Sequence, residues 1–237
     1  MLILSNGMVK SGSSLLLHYT LNVVAAVTPK SGQEAFRALI RAGELNGVGD
    51  YVRDLGPRVI DRLSKLSKEE GPIVVKTHYP LDKHIGNAIR GGDAVSIFTI
   101  RDPRDIVLSA IDHRARSQFD SRPLFGRFVS IDESIEHIMP IVRSAIEWKE
   151  SGLACIVRYE DLVTSPVVEI GRVGVHVGFV PATELIESIV DREVRDRSIG
   201  RNQFNRGEVI RYKNEMSLQQ IQAYNSRLKE SIDALGY

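Results

Sequence analysis

The sequence predicts an α/β fold in which a central parallel sheet is flanked by helices. Short runs of β-branched and apolar residues, typical of strands buried on both faces, occur at residues 2–4, 72–76, 95–100 and 153–157. Segments with helical periodicity separate them, and this alternation implies parallel strands joined by helices. The chain has 237 residues, 43% of them hydrophobic, and no repeat or linker. We therefore expect one domain over residues 1–237.

The segments between the strands predict the helices in order. Residues 13–27 are apolar nearly all round, which indicates a buried helix. Residues 33–66 are amphipathic and predict one or two helices, interrupted near Gly47-Val-Gly49. Residues 195–213, rich in Arg, Asn and Gly, predict an irregular segment. The remaining predicted helices lie at residues 131–150, 167–178, 182–194 and 216–235.

Composition narrows the class of function. Lys and Arg total 31 against 30 Asp and Glu, so the chain lacks the basic surface of a nucleic-acid-binding protein and any anion site must be local. Cys155 is the only cysteine, which excludes an internal disulfide and a cysteine-rich zinc site and favours a reducing cytoplasm. Residues 1–4 are too short for a signal or membrane segment, and no other stretch approaches spanning length. We expect a cytoplasmic protein with no integral membrane segment.

A glycine-containing loop follows the first predicted strand. Residues 7–14 read Gly-Met-Val-Lys-Ser-Gly-Ser-Ser. Glycines let backbone N–H groups point at an anion, and the N-terminus of the next helix adds positive potential. In P-loop ATPases and kinases the lysine directly follows the second glycine, whereas here Lys10 lies between Gly7 and Gly12. The loop predicts phosphate binding, and the displaced lysine argues against ordinary ATP chemistry.

A second anion-binding segment follows the strand predicted at 95–100. It begins with Arg101-Asp-Pro-Arg-Asp105, in which Pro103 ends the strand. We expect Asp105 to be the N-cap of the next helix. Ser109 lies one turn beyond Asp105, so Arg101 and Ser109 could contact one phosphate from two sides.

Both segments resemble those of sulfotransferases that use PAPS (3′-phosphoadenosine-5′-phosphosulfate). Residues 7–14 are similar to the family's 5′-phosphosulfate loop, usually Pro-Lys-Ser-Gly-Thr-Thr, and residues 101 and 109 keep the eight-residue spacing of its 3′-phosphate site. The resemblance implies a P-loop-like sulfotransferase architecture with PAPS as co-substrate, PAP as product and no metal. In these two segments it implies PAPS contacts at Lys10, Ser11, Gly12, Ser13, Ser14, Arg101 and Ser109.

Lys76-Thr-His78 follows the second strand and resembles the family's Lys-Thr-His segment, whose histidine is the general base. Sulfuryl transfer should resemble phosphoryl transfer, a loose in-line displacement that depends on positioning and charge stabilisation. The resemblance implies that His78 is the base, with Lys10 and Lys76 stabilising the developing charge. The alternative for an isolated histidine is a strand-end residue that hydrogen-bonds the backbone. No pair of histidines has metal-ligand spacing, so no metal site is predicted.

Two later segments also resemble the family. Arg158-Tyr-Glu-Asp-Leu162 implies an adenine contact at Tyr159, and we interpret Glu160 and Asp161 as helix-start carboxylates. Residues 204–214 resemble the late nucleotide loop, with Asn205 where the family has arginine and Ile210 where it has glycine. The resemblance implies that Asn205, Arg206 and Gly207 belong to the nucleotide site, Arg206 and Gly207 reaching the 3′-phosphate. Arg201 and Arg211 are either substitutes for the missing arginine or part of a solvated basic loop.

Three functions remain open at this stage. The leading one is a PAPS-dependent sulfotransferase that acts on a hydroxyl or amine of a small-molecule, glycan or lipid acceptor. An ATP-dependent P-loop small-molecule kinase would need the Gly-Lys-Ser/Thr ending that this loop lacks. A non-catalytic scaffold of the same fold that binds PAP or another nucleotide is the third. Residues 117–130 are a candidate acceptor lid, and a homodimer is left open.

Overall fold

The computed structural model describes residues 1–116, 123–198 and 207–237. Its centre is a six-stranded sheet in the order β2-β3-β4-β1-β5-β6. All pairings are parallel except the β2–β3 hairpin at one edge. The strands are β1 (Leu2–Gly7), β2 (Gly47–Val48), β3 (Tyr51–Val52), β4 (Ile73–Lys76), β5 (Ala94–Ile100) and β6 (Ala154–Arg158).

Helices connect the strands and cover both faces of the sheet. They are α1 (Ser13–Val27), α2 (Gln33–Arg41), α3 (Pro57–Glu70), α4 (Lys83–Arg90), α5 (Pro103–Arg116), α6 (Pro123–Gly126), α7 (Ser134–Ser151), α8 (Tyr159–Thr164), α9 (Pro166–His176), α10 (Thr183–Ser198), α11 (Tyr212–Glu215) and α12 (Leu218–Leu235). Among the residues described, no helix combines the length and the apolar character needed to cross a bilayer.

The core consists of one apolar layer on each side of the sheet. Leu2 and Leu4 of β1 pack into the layer that also contains residues of α3, α4, α5, α7 and α12. Ile3, which points to the opposite face, packs with residues of α1, α9 and α10. A strand buried on both faces is consistent with the continuous apolar runs in the sequence. The predicted α/β architecture with a central parallel sheet is confirmed.

The predicted elements differ from the structure mainly at their ends. β1 continues three residues beyond the predicted 2–4, because Ser5, Asn6 and Gly7 pair with β5 despite their polar or small side chains. The region predicted as one or two helices at 33–66 contains α2, the β2–β3 hairpin and α3. Strands of two residues are too short to produce a periodic pattern. Part of the irregular segment predicted at 195–213 is helical, because α10 extends to Ser198 and α11 begins at Tyr212.

The prediction that Asp105 caps α5 is wrong. The helix begins at Pro103, whose fixed φ and missing N–H suit the first helical position. Asp102 takes the capping role, because its carboxylate accepts the Arg104 N–H at 2.9 Å. Asp105 is instead fully buried in the first turn, where it accepts the backbone N–H of Tyr212 at 2.9 Å.

Ile210 lies in an unfavourable backbone conformation just before α11. Its φ is 59°, in the left-handed region. The family that residues 204–214 resemble has glycine at this position. This conformation costs an L-residue roughly 1–2 kcal/mol, and β-branched residues adopt it rarely. The residue is 45% exposed, so packing offsets only part of that cost.

We predict that Ile210→Gly raises the free energy of unfolding by about 0.5–1 kcal/mol. Relief of the left-handed strain exceeds the entropy that glycine adds to the unfolded chain. Urea unfolding measures the change. The control is Val180→Gly, since Val180 is β-branched and 79% exposed but lacks a positive φ. The control should lose stability, and an equal loss in Ile210→Gly would contradict the prediction.

Candidate active site

Four adjacent parallel strands bring the candidate residues to one edge of the sheet. The strands lie in the order β4, β1, β5 and β6. His78 follows β4, Lys10 follows β1, Arg101 follows β5 and Tyr159 follows β6. Ligands of open α/β sheets bind at this carboxyl edge. The sheet thus gathers segments that are far apart in the sequence.

The loop between β1 and α1, together with its flanking residues (7–14, here called the anion loop), has a backbone shape suited to an anion. Lys10 and Gly12 both have positive φ, 62° and 84°, and Gly12 is the N-cap of α1. Ser13 and Ser14 are the first two residues of that helix. Backbone N–H groups at the start of a helix lack intrahelical acceptors. The first helical turn therefore directs N–H dipoles and positive potential toward the loop.

Ser11 anchors this loop to the sheet. Its hydroxyl is fully buried and lies 2.6 Å from the carbonyl oxygen of Met8 and 2.6 Å from Oγ1 of Thr99 in β5. Those bonds occupy the hydroxyl within the protein. The side chain of Ser11 therefore fixes the loop, and its backbone N–H also donates to the Met8 carbonyl, at 3.3 Å.

Lys76 and Ser14 connect β4 to the start of α1. Lys76 lies at the end of β4, opposite Ser5 of β1, and its Nζ donates to Ser14 Oγ at 2.5 Å. The ammonium group therefore lies beside the first turn of α1. This contact places a second lysine at the anion loop, in addition to Lys10.

The imidazole of His78 is held by the first residue of the loop. Its Nδ1 lies 2.7 Å from the carbonyl oxygen of Gly7. A carbonyl oxygen can only accept, so in the neutral ring Nδ1 carries the proton and Nε2 carries the lone pair. The backbone bond considered as the alternative role is present, and it fixes the orientation of the ring. The ring of Tyr51 lies beside it, with 5.8 Å between ring centroids.

Arg101 joins three segments of the chain. Its Nη1 donates to the Lys10 carbonyl at 3.4 Å, and its Nη2 donates to the Glu208 carbonyl at 2.9 Å and to Asp105 at 3.4 Å. The guanidinium is buried, and in the described ranges its Nε has no hydrogen-bond partner. A buried donor left unsatisfied is costly. Among the described residues, Arg101 therefore has one donor without an acceptor at the edge where we expect an anion to bind.

The ring of Tyr159 lies between the loop and Arg101. The Arg101 Cζ lies 4.2 Å from the ring centroid, a cation–π contact. A Cβ added to Gly12 would come within 2.5 Å of Tyr159 Cδ2, so the ring packs directly against the glycine backbone. The structure brings Tyr159 to the loop between β1 and α1 and gives its ring a packing role there, and the adenine contact stays a prediction.

Of the remaining predicted contacts, Ser109 and Gly207 fall within the described residues. Ser109 is buried on α5, and Gly207, with φ 71°, begins the described part of the late loop. Asn205, Arg206 and Arg201 lie outside the described residues. The Glu208 carbonyl nevertheless contacts Arg101, so this loop reaches the same edge of the sheet.

Arg211 anchors the late loop. Its side chain is 2% exposed and contacts Glu215 at 2.8 Å and Asp112 at 2.9 Å. The hydrogen bond to Glu215 is the largest cause that raises the pKa of Arg211. Arg211, which the sequence suggested as a possible substitute phosphate ligand, is therefore paired with two carboxylates.

Arg104 also has a packing role that the sequence did not indicate. It pairs with Asp102 at 2.6 Å, lies 3.8 Å above the ring of Tyr212 and donates to Asn225 at 2.7 Å. The two arginines of the Arg-Asp-Pro-Arg segment thus have different environments. Arg101 faces the loop, whereas Arg104 connects α5 to the late loop and α12.

Part of the candidate lid lies over the loop lysine. The ring centroid of Phe125 in α6 is 5.9 Å from Lys10 Nζ and 4.5 Å from the ring centroid of His113. Residues 117–122 of the candidate lid lie outside the described part of the chain. Over the described ranges, no group of three His, Cys, Asp or Glu side chains is arranged to hold a metal ion.

Comparison with solved structures identifies similar folds. Retinol dehydratase in complex with androsterone and the inactive cofactor PAP aligns over 98% of this chain and 80% of its own, with 16% identity and a TM-score of 0.60. Mouse sulfotransferase SULT7A1 complexed with PAP aligns over 98% and 84%, with 12% identity and a TM-score of 0.65. A putative steroid sulphotransferase of Arabidopsis thaliana aligns over 100% and 77%, with 15% identity and a TM-score of 0.52.

No curated protein sequence gives a significant match to this chain. The sulfotransferase domain model, in contrast, matches residues 3–236. That span includes the anion loop, the segment with Lys76 and His78, and the segment that begins at Arg101. The chain therefore belongs to the sulfotransferase domain family.

Proposed function

We propose that this protein transfers the sulfuryl group of PAPS to a hydroxyl or amine of a small-molecule, glycan or lipid acceptor and releases PAP. The observation that carries the proposal is the bond from His78 to the Gly7 carbonyl. Gly7 begins the anion loop, so the candidate base is fixed directly to the candidate phosphosulfate site. Membership of the sulfotransferase domain family supports sulfuryl transfer.

We assign the 5′-phosphosulfate to the loop at residues 7–14, where Lys10 and the N–H groups at the start of α1 would bind it. We assign the 3′-phosphate to Arg101 and Ser109, with Arg206 and Gly207 of the late loop, and Asn205 to the same nucleotide site. In the part of the chain that the structure describes, the Nε of Arg101 has no acceptor, which fits this assignment because a phosphate oxygen would accept from it. The similar structures of retinol dehydratase and mouse sulfotransferase SULT7A1 contain PAP, which supports the same nucleotide here.

In the reaction, PAPS supplies the sulfuryl group, and the protein positions the acceptor and moves its proton. The acceptor hydroxyl or amine donates its proton to Nε2 of His78 as it attacks. The Gly7 carbonyl keeps the Nδ1 proton in place and stabilises the imidazolium that forms. Lys10 and Lys76 provide positive charge where the leaving phosphate and the transferred oxygens become more negative.

Aromatic rings lie beside both groups that would flank the transfer. Tyr51 is next to His78, and Phe125 is next to Lys10. Rings in these positions favour an acceptor with an apolar body next to its reactive hydroxyl or amine. The similar structure of retinol dehydratase contains androsterone, which is such a molecule.

We predict that His78→Asn lowers kcat by about 10²–10⁴-fold and leaves PAP affinity close to that of the wild type. The Asn amide can still donate to the Gly7 carbonyl, but it cannot accept a proton at neutral pH. The assay follows label from radiolabelled PAPS into products, with a panel of phenols, steroids, aliphatic alcohols and amines. Calorimetry with PAP measures binding separately.

The matched control is His84→Asn on the exposed surface of α4, which should keep wild-type turnover. Full turnover in His78→Asn would exclude His78 as the base. Tight PAP binding by the wild type without transfer to any acceptor would favour the scaffold function. Magnesium-dependent transfer of phosphate from ATP would favour the kinase function.

A further inference from the structure

Tyr237 contacts Glu160, which is next to the candidate residue Tyr159, although the two lie 77 residues apart in the sequence. Its hydroxyl donates to Oε2 of Glu160 at 2.7 Å. The other oxygen of that carboxylate, Oε1, accepts the backbone N–H of Asp102 at 3.3 Å. Glu160 directly follows Tyr159, and Asp102 directly follows Arg101. One carboxylate thus connects the chain segments that carry the Arg101–Tyr159 contact.

Tyr237 is itself held in a defined position. The Arg158 guanidinium lies 4.1 Å from its ring centroid and donates to the Gly236 carbonyl at 2.6 Å. Lys149 donates to the Ala234 carbonyl at 2.6 Å, which fixes the end of α12. The tyrosine hydroxyl is therefore presented to Glu160 by a constrained segment.

The Tyr237 hydroxyl stabilises the charge of Glu160, a carboxylate in a partly buried environment. Burial is the largest cause that raises the pKa of Glu160, and the hydrogen bonds from Tyr237 and Asp102 and the charge of Arg101 oppose it. A partly buried carboxylate that loses a donor must find another partner or move toward water. Movement of Glu160 would release the Asp102 N–H next to Arg101.

We propose that Tyr237 is a positioning residue for the nucleotide: its hydroxyl holds Glu160, which sets the spacing between Arg101 and Tyr159. The proposal rests on the proposed function, because it assigns Arg101 to the 3′-phosphate. Loss of the hydroxyl should therefore weaken PAP more than ADP, which lacks that phosphate.

The test is calorimetry of PAP and ADP with Tyr237→Phe, which removes the hydroxyl and keeps the ring. We expect PAP to bind about five- to tenfold more weakly, within the range of coupling through a hydrogen-bonded network, with little change for ADP. The control is Tyr224→Phe in α12, which removes a hydroxyl that donates to the Ile131 carbonyl at 2.6 Å. It should change stability without changing the ratio of PAP to ADP affinity.

Glu160→Gln is the second variant, and it replaces the test if Tyr237→Phe does not fold. It should lower the same affinity ratio, and the double variant should lose little more than either single one, because both changes break one network. A wild-type affinity ratio in folded Tyr237→Phe or Glu160→Gln would overturn the inference. A wild-type protein without preference for PAP over ADP would instead overturn the proposed nucleotide site, and this inference with it.

Discussion

The site depends on the stacking of Arg101 over Tyr159, whose ring in turn packs on Gly12. This arrangement places the ends of β5 and β6 against the loop that follows β1. It also explains the residue at position 12, because a Cβ there would overlap the ring and the φ of 84° favours glycine. The anion loop and the buried arginine are therefore parts of one packed unit.

Burial strengthens the electrostatic interactions that this unit can make with an anion. A guanidinium in a partly dehydrated site interacts with an anion more strongly than one in water does. The Arg101 guanidinium donates hydrogen bonds to the Lys10 and Glu208 carbonyls and to Asp105. These bonds orient the side chain before a ligand arrives. On the other side of the loop, the Gly7 carbonyl orients His78 in the same way. Backbone carbonyls thus position both the candidate phosphate ligand and the candidate base.

Much of this could be predicted from residues at the ends of strands. Apolar runs located β4, β5 and β6 to within two residues, and Lys10, His78, Arg101 and Tyr159 follow strand ends in the sequence. The anchoring role of Ser11 and the separate roles of Arg101 and Arg104 could not be predicted, because they depend on partners brought together only by folding. The bond between Glu160 and Tyr237 spans 77 residues and has no local sequence pattern.

The most direct test of this account is calorimetry of PAP and ADP, without magnesium, with the wild type and Arg101→Lys. The variant keeps the positive charge but loses Nε and the planar group that stacks on Tyr159. The account predicts that the wild type binds PAP at least about tenfold more tightly than ADP, the contribution of one charged hydrogen bond. It also predicts that Arg101→Lys loses most of that preference. Equal affinities of the wild type for PAP and ADP would contradict the assignment of Arg101 to the 3′-phosphate.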